Sequence, residues 1–214
     1  KTFEDLDMGW GTVVYTVELP ETKVGGTLVA DVHDFAQYFI NGEYVGKTDR
    51  VKNEKSLTLP PVKKGDELEI FVEAMGRINF GRAIKDFKGI VGEVAITAEV
   101  EGIETTWKPQ SWVKFGLPDS YEKAADAFVH NNDYTKAENE GQRLGKKPQW
   151  NVDGLDLVSK RGYYRGYFNL RKVGDTFLNF ETWGKGQVYV NGHAIGRFWK
   201  IGPQQTIYMP GCWL

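Results

Sequence analysis

Residues 188–210, VYVNGHAIGRFWKIGPQQTIYMP, decide the fold, because they repeat without a gap the pattern of residues 38–60, YFINGEYVGKTDRVKNEKSLTLP, 150 residues earlier. Asn41-Gly42 falls on Asn191-Gly192, Gly46-Lys47 on Gly196-Arg197, Leu57 and Leu59 on Ile207 and Met209, and Pro60 on Pro210. Correspondence over so long an interval marks a duplicated unit. In each copy the Asn-Gly pair follows an apolar run. A type I′ turn needs positive φ at two successive residues, which Asn and Gly tolerate best, so each copy reads as a β-hairpin.

Working upstream, residues 27–29 (TLV) match 176–178 (TFL) at an offset of 149, and Leu19 matches Leu170 at 151. Downstream, copy one runs through Gly65-Asp66 into the apolar stretch 68–72 (LEIFV), which reads as a buried strand. Copy two reaches Leu214 opposite Lys64, so the second unit is expected to lack its last strand.

The rest of the chain agrees with strands. Val13, Tyr15, Val17 and Leu19 alternate with less apolar neighbours, as do Val94, Ile96, Ala98 and Val100. Short apolar runs between Gly, Asn, Asp and Pro recur at regular spacing, the pattern of a β-sandwich. The expected organisation is all-β, with a first domain over 1–104 and a second over 166–214. Residues 105–165 form the connection. One helix is predicted there at about 119–129, where DSYE at 119–122 fits a capping box ahead of an apolar run. A polar excursion follows over 130–159.

Composition narrows the function. With 214 residues, 41% apolar and 14% aromatic, two modest cores can be filled. A net charge of -2, with lysines and arginines scattered among carboxylates, leaves no basic stripe for nucleic acid. No apolar stretch approaches the roughly 20 residues that a membrane helix needs. The single cysteine, Cys212, excludes an intrachain disulfide and a cysteine metal cluster, and the three histidines lie far apart in no ligand spacing. Neither metal nor cofactor is expected.

Catalysis finds little support. Glycoside cleavage needs two carboxyl groups about 5 to 5.5 Å apart for retention, or farther for inversion. Asp31 with Asp34, and Asp5 with Asp7, are the nearest pairs in sequence, but all sit beside turns, where carboxylates hold backbone amides or face water. No serine lies in a GxSxG elbow and no Gly-rich phosphate loop is present. Sugar recognition fits the composition better, because pyranose rings stack apolar faces on aromatics while their hydroxyls need directional partners. Trp183, Trp199 and Arg197 around the second hairpin, with Tyr44 on the first, are the candidates. Packing in a core, or docking against a neighbouring domain, are the alternatives for the same aromatics. The loop RINFG at 77–81 followed by KDFKG at 85–89 mixes charge and aromatics densely, as loops that carry contacts often do.

Several stretches together resemble one family: FEDLDMGWG at 3–11, VEAMGRINFG with KDFKG at 72–89, and WGKGQVYVNGHAIGRFW with GPQQTIYMP at 183–210. They resemble glycoside hydrolase family 35, the β-galactosidases, over most of the chain outside about 105–165. The resemblance implies two galactose-binding-like jelly rolls, the non-catalytic C-terminal region of a retaining enzyme. Its two catalytic glutamates lie on a TIM barrel, so none transfers to this sequence and the chain itself is expected to be inactive. Arg77, Asn79, Asp86 and Lys88 match a family loop placed near the barrel. The implied partners are that barrel and galactosides, and the implied setting is secreted or periplasmic. An autonomous carbohydrate-binding module, or a sugar-binding domain of another glycosidase family, remains the alternative.

Overall fold

The computed structural model describes residues 2–116 and 168–214. They belong to two compact units, Lys1–Leu117 and Pro118–Leu214. Among the described residues every regular element is a strand or a single 3-10 turn. No helix among them is long and apolar enough to cross a membrane. The helix predicted at about 119–129 and the excursion at 130–159 lie outside the described residues.

Unit one is built from eleven strands: β1 (Gly11–Glu18), β2 (Gly26–Val29), β3 (Val32–His33), β4 (Phe35–Ile40), β5 (Glu43–Asp49), β6 (Ser56–Leu59), β7 (Glu67–Ala74), β8 (Gly89–Ile90), β9 (Ala95–Val100), β10 (Ile103–Trp107) and β11 (Val113–Gly116). A five-stranded sheet runs β11-β1-β7-β4-β5 and a four-stranded sheet runs β10-β9-β2-β6, with β3 and β8 pairing separately. Strand periodicity explains the layering. In β7, Leu68, Ile70, Val72 and Ala74 are buried while the alternate residues are not. They meet Tyr15 and Val13 of β1, Tyr38 of β4, Leu28 of β2 and Ile96 of β9 in one core cluster, so the two sheets form a sandwich. Each buried Leu, Ile or Val among them contributes about 1.5–3 kcal/mol by leaving water. The expected boundary at 104 falls inside β10. Both β10, on β9, and β11, on β1, are sheet strands of unit one.

Unit two shows β12 (Thr176–Asn179), β13 (Lys185–Val190), β14 (His193–Trp199) and β15 (Thr206–Met209). They repeat part of unit one: β13 pairs with β14 as β4 does with β5, and β12 with β15 as β2 does with β6. Both hairpins close through two residues with positive φ, Asn41 (50°) with Gly42 (82°), and Asn191 (48°) with Gly192 (85°). These are the expected type I′ turns. Each hairpin also shifts register at one place, leaving Val45 and Ile195 as the extra residue of a bulge.

The pairing corrects one alignment. Leu28 lies opposite Leu57, and Leu178 lies opposite Ile207, so Leu178 takes the place of Leu28 and the offset stays at 150. The offset of 149 would put Phe177, 67% exposed, where Leu28 is fully buried. A one-residue slip exchanges the faces of a strand, and the shared Thr at 27 and 176 masked it.

Candidate functional site

The loop between β7 and β8 carries the charged motif, and the structure turns part of it inward. Lys88 is 1% exposed, with its ammonium 2.6 Å from Asp34 Oδ2, Asp86 Oδ2 and the carbonyl of Gly76. Arg50 donates Nη1 to the remaining oxygen of each carboxylate, Asp34 Oδ1 and Asp86 Oδ1, both at 2.8 Å. Two cations and two anions thus close a ring that is neutral in total. Such burial is tolerable only because every charge is paired. Burial opposes ionisation of Asp34, but hydrogen bonds from Lys88, Arg50 and the Met75 amide outweigh it and hold its carboxyl below the usual range. Asp86 is likewise held down, against its burial, by Lys88 and Arg50. His33 completes the cluster, donating Nδ1 to the carbonyl of Phe87 at 2.9 Å.

A second clamp ties the loop to the start of the chain. Arg77 donates to Glu4 Oε1 at 2.7 Å and to the carbonyl of Gly9 at 2.9 Å, and the Lys88 amide donates to Glu4 as well. Asp86 and Lys88, expected to face a neighbouring domain, are therefore buried and occupied within unit one, and Arg77 is engaged there too. What the clamps leave outside carries three large apolar side chains, Phe80 at 88% exposed, Ile84 at 59% and Phe87 at 54%, with Asn79, Arg82 and Lys85 exposed among them.

Sequence reasoning missed Arg50 and gave Asp34 another role. Their signal was a charge beside buried positions, Asp34 before the apolar Phe35 and Ala36, and Arg50 after the buried Thr48 and Asp49. The four partners span 54 residues from Asp34 to Lys88, so no local motif joins them. Asp34 is spoken for by this cluster, and Asp31 binds Lys55 at 2.8 Å on the surface. Asp5 accepts from the Thr2 amide, and Asp7 caps a 3-10 turn with φ of 55°. These are structural roles for the nearest acidic pairs.

The aromatic candidates divide. Trp183 is half-buried and meets Phe180 and Phe198 edge-on, and Tyr44 packs edge-on against Phe39. Trp199 has the Lys185 ammonium 4.9 Å from its ring centre, a cation-π arrangement. Arg197 and Trp199 lie two apart on β14 and so share its face, opposite Gln187 and Lys185 of β13. A separate recess of about 170 Å³ lies in unit one between the loops that follow β8 and β10, with Trp112 on one side.

Among the described residues both units are all-β, the first with a buried ion ring and the second with an aromatic cluster. Residues 1–110 match the family model described as "Beta-galactosidase, first all-beta domain", and residues 162–214 match "Beta-galactosidase, galactose-binding domain". The chain belongs to the β-galactosidase family, within its non-catalytic β-domains. It is 30% identical over 220 residues to the beta-galactosidase of Mus musculus, covering 98% of this chain and 31% of that protein. Against the beta-galactosidase of Bos taurus the identity is 32% over 221 residues, covering 98% and 31%. Against beta-galactosidase-1-like protein 3 of Homo sapiens it is 30% over 223 residues, covering 96% and 27%. The chain therefore spans about a third of the length of these relatives. Among solved structures, a lectin from Pleurotus ostreatus in complex with GalNAc aligns with 51% of this chain and 32% of that one, at a TM-score of 0.37 and 16% identity, too slight a likeness to imply more.

Proposed function

We propose that this chain is the accessory region of a β-galactosidase, and that the loop between β7 and β8 seats unit one against the enzyme's catalytic barrel. The observation that carries the reading is the contrast within that loop. Its base is fixed by the Lys88, Arg50, Asp34 and Asp86 ring and by Arg77 on Glu4, while its tip presents Phe80, Ile84 and Phe87 to solvent. A rigid base lowers the entropy lost on docking, and aromatic tips are what protein interfaces favour. The role of Asp86 and Lys88 is then to hold the tip in place, while Asn79, Phe80 and Phe87 make the contact. Terminal β-galactosides are hydrolysed on the barrel, and this chain alone gives no turnover. In the parent enzyme, Phe80→Ser with Phe87→Ser shortens the half-life of β-galactoside hydrolysis on heating. A half-life unchanged by the pair of substitutions overturns the reading.

A second reading rests on Trp199 and Arg197 sharing one face of the β13–β14 hairpin. That face offers an aromatic platform beside donors, as a galactoside requires, and the matched domain carries the name galactose-binding. Saturable quenching of tryptophan fluorescence by galactose, abolished in Trp199→Ala, is the expected result. Quenching that persists in Trp199→Ala rejects this platform.

A further inference from the structure

We propose that the recess beside Trp112 in unit one is a binding site for a single hydroxylated six-membered ring, a neutral pyranose. It is separate from the hairpin of unit two and does not rest on either reading above. Size comes first. At about 170 Å³ the recess falls below the 300–1,000 Å³ of sites for larger ligands. It is close to the cavity of about 150 Å³ known to accept one benzene ring. The recess can seat one ring face-down with its hydroxyls at the rim, and is too small to enclose a second.

Chemistry comes second. The floor is apolar, made by Ile90 and Val94, 8% and 5% exposed, together with the buried ring of Tyr15. Trp112 forms one wall, its indole Nε1 donating to the carbonyl of Pro109 at 3.1 Å and so held in position. The rim is polar and exposed. Gln110 donates Nε2 to the carbonyl of Lys108, a bond that leaves its amide oxygen, an acceptor, to a ligand hydroxyl. Lys108 and Glu93 face each other across the rim at 2.7 Å. Because that pair neutralises itself, the recess offers no net charge to a phosphate or carboxylate. An apolar floor beneath polar edges suits a pyranose, which presents C–H groups on its face and hydroxyls around its perimeter.

The test is ligand-observed NMR on the whole 214-residue chain with galactose and glucose, with cyclohexanol as the ring that lacks the hydroxyl perimeter. A Kd on the order of millimolar is expected, as befits one small ring on an exposed site. Gln110→Ala, a substitution at an exposed position that leaves the fold intact, weakens binding about fivefold. Trp112→Ala abolishes it, and Trp112→Phe, which keeps an aromatic wall should the alanine variant unfold, retains part of it. Trp199→Ala leaves it unchanged, which separates this site from the hairpin. No saturation up to about 50 mM sugar, well above the expected range, overturns the proposal. So does binding indifferent to Gln110→Ala, or cyclohexanol binding as tightly as galactose.

Discussion

The hairpin at Asn41-Gly42 and the hairpin at Asn191-Gly192 follow the same backbone and fill it differently. In the first, Ala36 and Tyr38 are fully buried and Phe39 is 1% exposed, with β7 on the free edge of β4. In the second, Gly186, Val188 and Tyr189 are half-buried, and among the described residues β13 pairs only with β14. The side chains inside have also traded places. Tyr38 bonds Thr48 through their hydroxyls at 3.0 Å, whereas the equivalent positions hold Val188 and Phe198. Phe198 stacks on Phe180 with ring centres 4.6 Å apart. A Cβ on Gly186 would lie 2.7 Å from Cζ of Phe198, so glycine there makes room for the ring, where Ala36 faces the smaller Thr48. Turn and bulge chemistry fix the path of the chain. Core residues can then vary, provided the volume between the strands is shared out.

The strongest way to break this contrast is the charged ring, which copy two lacks: Gly184 and Lys200 stand where Asp34 and Arg50 do. Lys88→Met leaves two buried carboxylates with one partner and costs about 3–5 kcal/mol. Hydrogen exchange is expected to rise in β4 and β7 and to stay unchanged in β13 and β14. Equal losses in both would refute the separation. Acid probes the same ring. Asp34 and Asp86 are held below their ordinary value of 3.8, so their contribution is complete above it and is lost as pH falls through the lower folded values. Urea midpoints of the wild type are expected to drop below about pH 4, and to drop less in Lys88→Met.

Next in size, Phe198→Ala empties the aromatic cluster of unit two and costs about 3–5 kcal/mol. Its counterpart Thr48→Val strands the buried hydroxyl of Tyr38 and costs about 1–3 kcal/mol. Thermal unfolding of the pair reports whether the second hairpin relies more heavily on this position. Gly186→Ala, which drives a methyl into Phe198, costs about 1–3 kcal/mol and is relieved when combined with Phe198→Leu. The smallest effects sharpen the shared part. Gly42→Ala and Gly192→Ala each force an L-residue into the left-handed region and cost about 1–2 kcal/mol. Unequal costs would mean that the turns are not locally determined.

Strands, turns and the duplication were legible because they depend on short patterns: alternation in β7, Asn-Gly after an apolar run, Gly at 46 and 196. The offset at β2 and β12 was not, because a match by residue type ignores which face a side chain takes, and Phe177 is as apolar as the core residue Leu28 it was matched to. The charged ring was half legible. Asp86 and Lys88 announced themselves in a dense motif, but their partners sit between β3 and β4 and just beyond β5, and only folding shows that the motif points inward. Phe80 and Phe87, one on each side of Arg82 and Lys85, were read as part of the same motif without any sign that they would be the exposed ones.

The two clamps at the base of that loop also decide what happens when it is cut. Lys88 is enclosed and Arg77 is engaged with Glu4, so the basic residues standing in solvent at the tip are Arg82 and Lys85. A cut by a trypsin-like protease at either residue falls between two anchors. One new end stays attached through Arg77 to Glu4 and Gly9, and the other through Asp86 and Lys88 to Asp34 and Arg50. Where cleavage is confined to that tip, the two parts travel together in native sizing and separate only in denaturant.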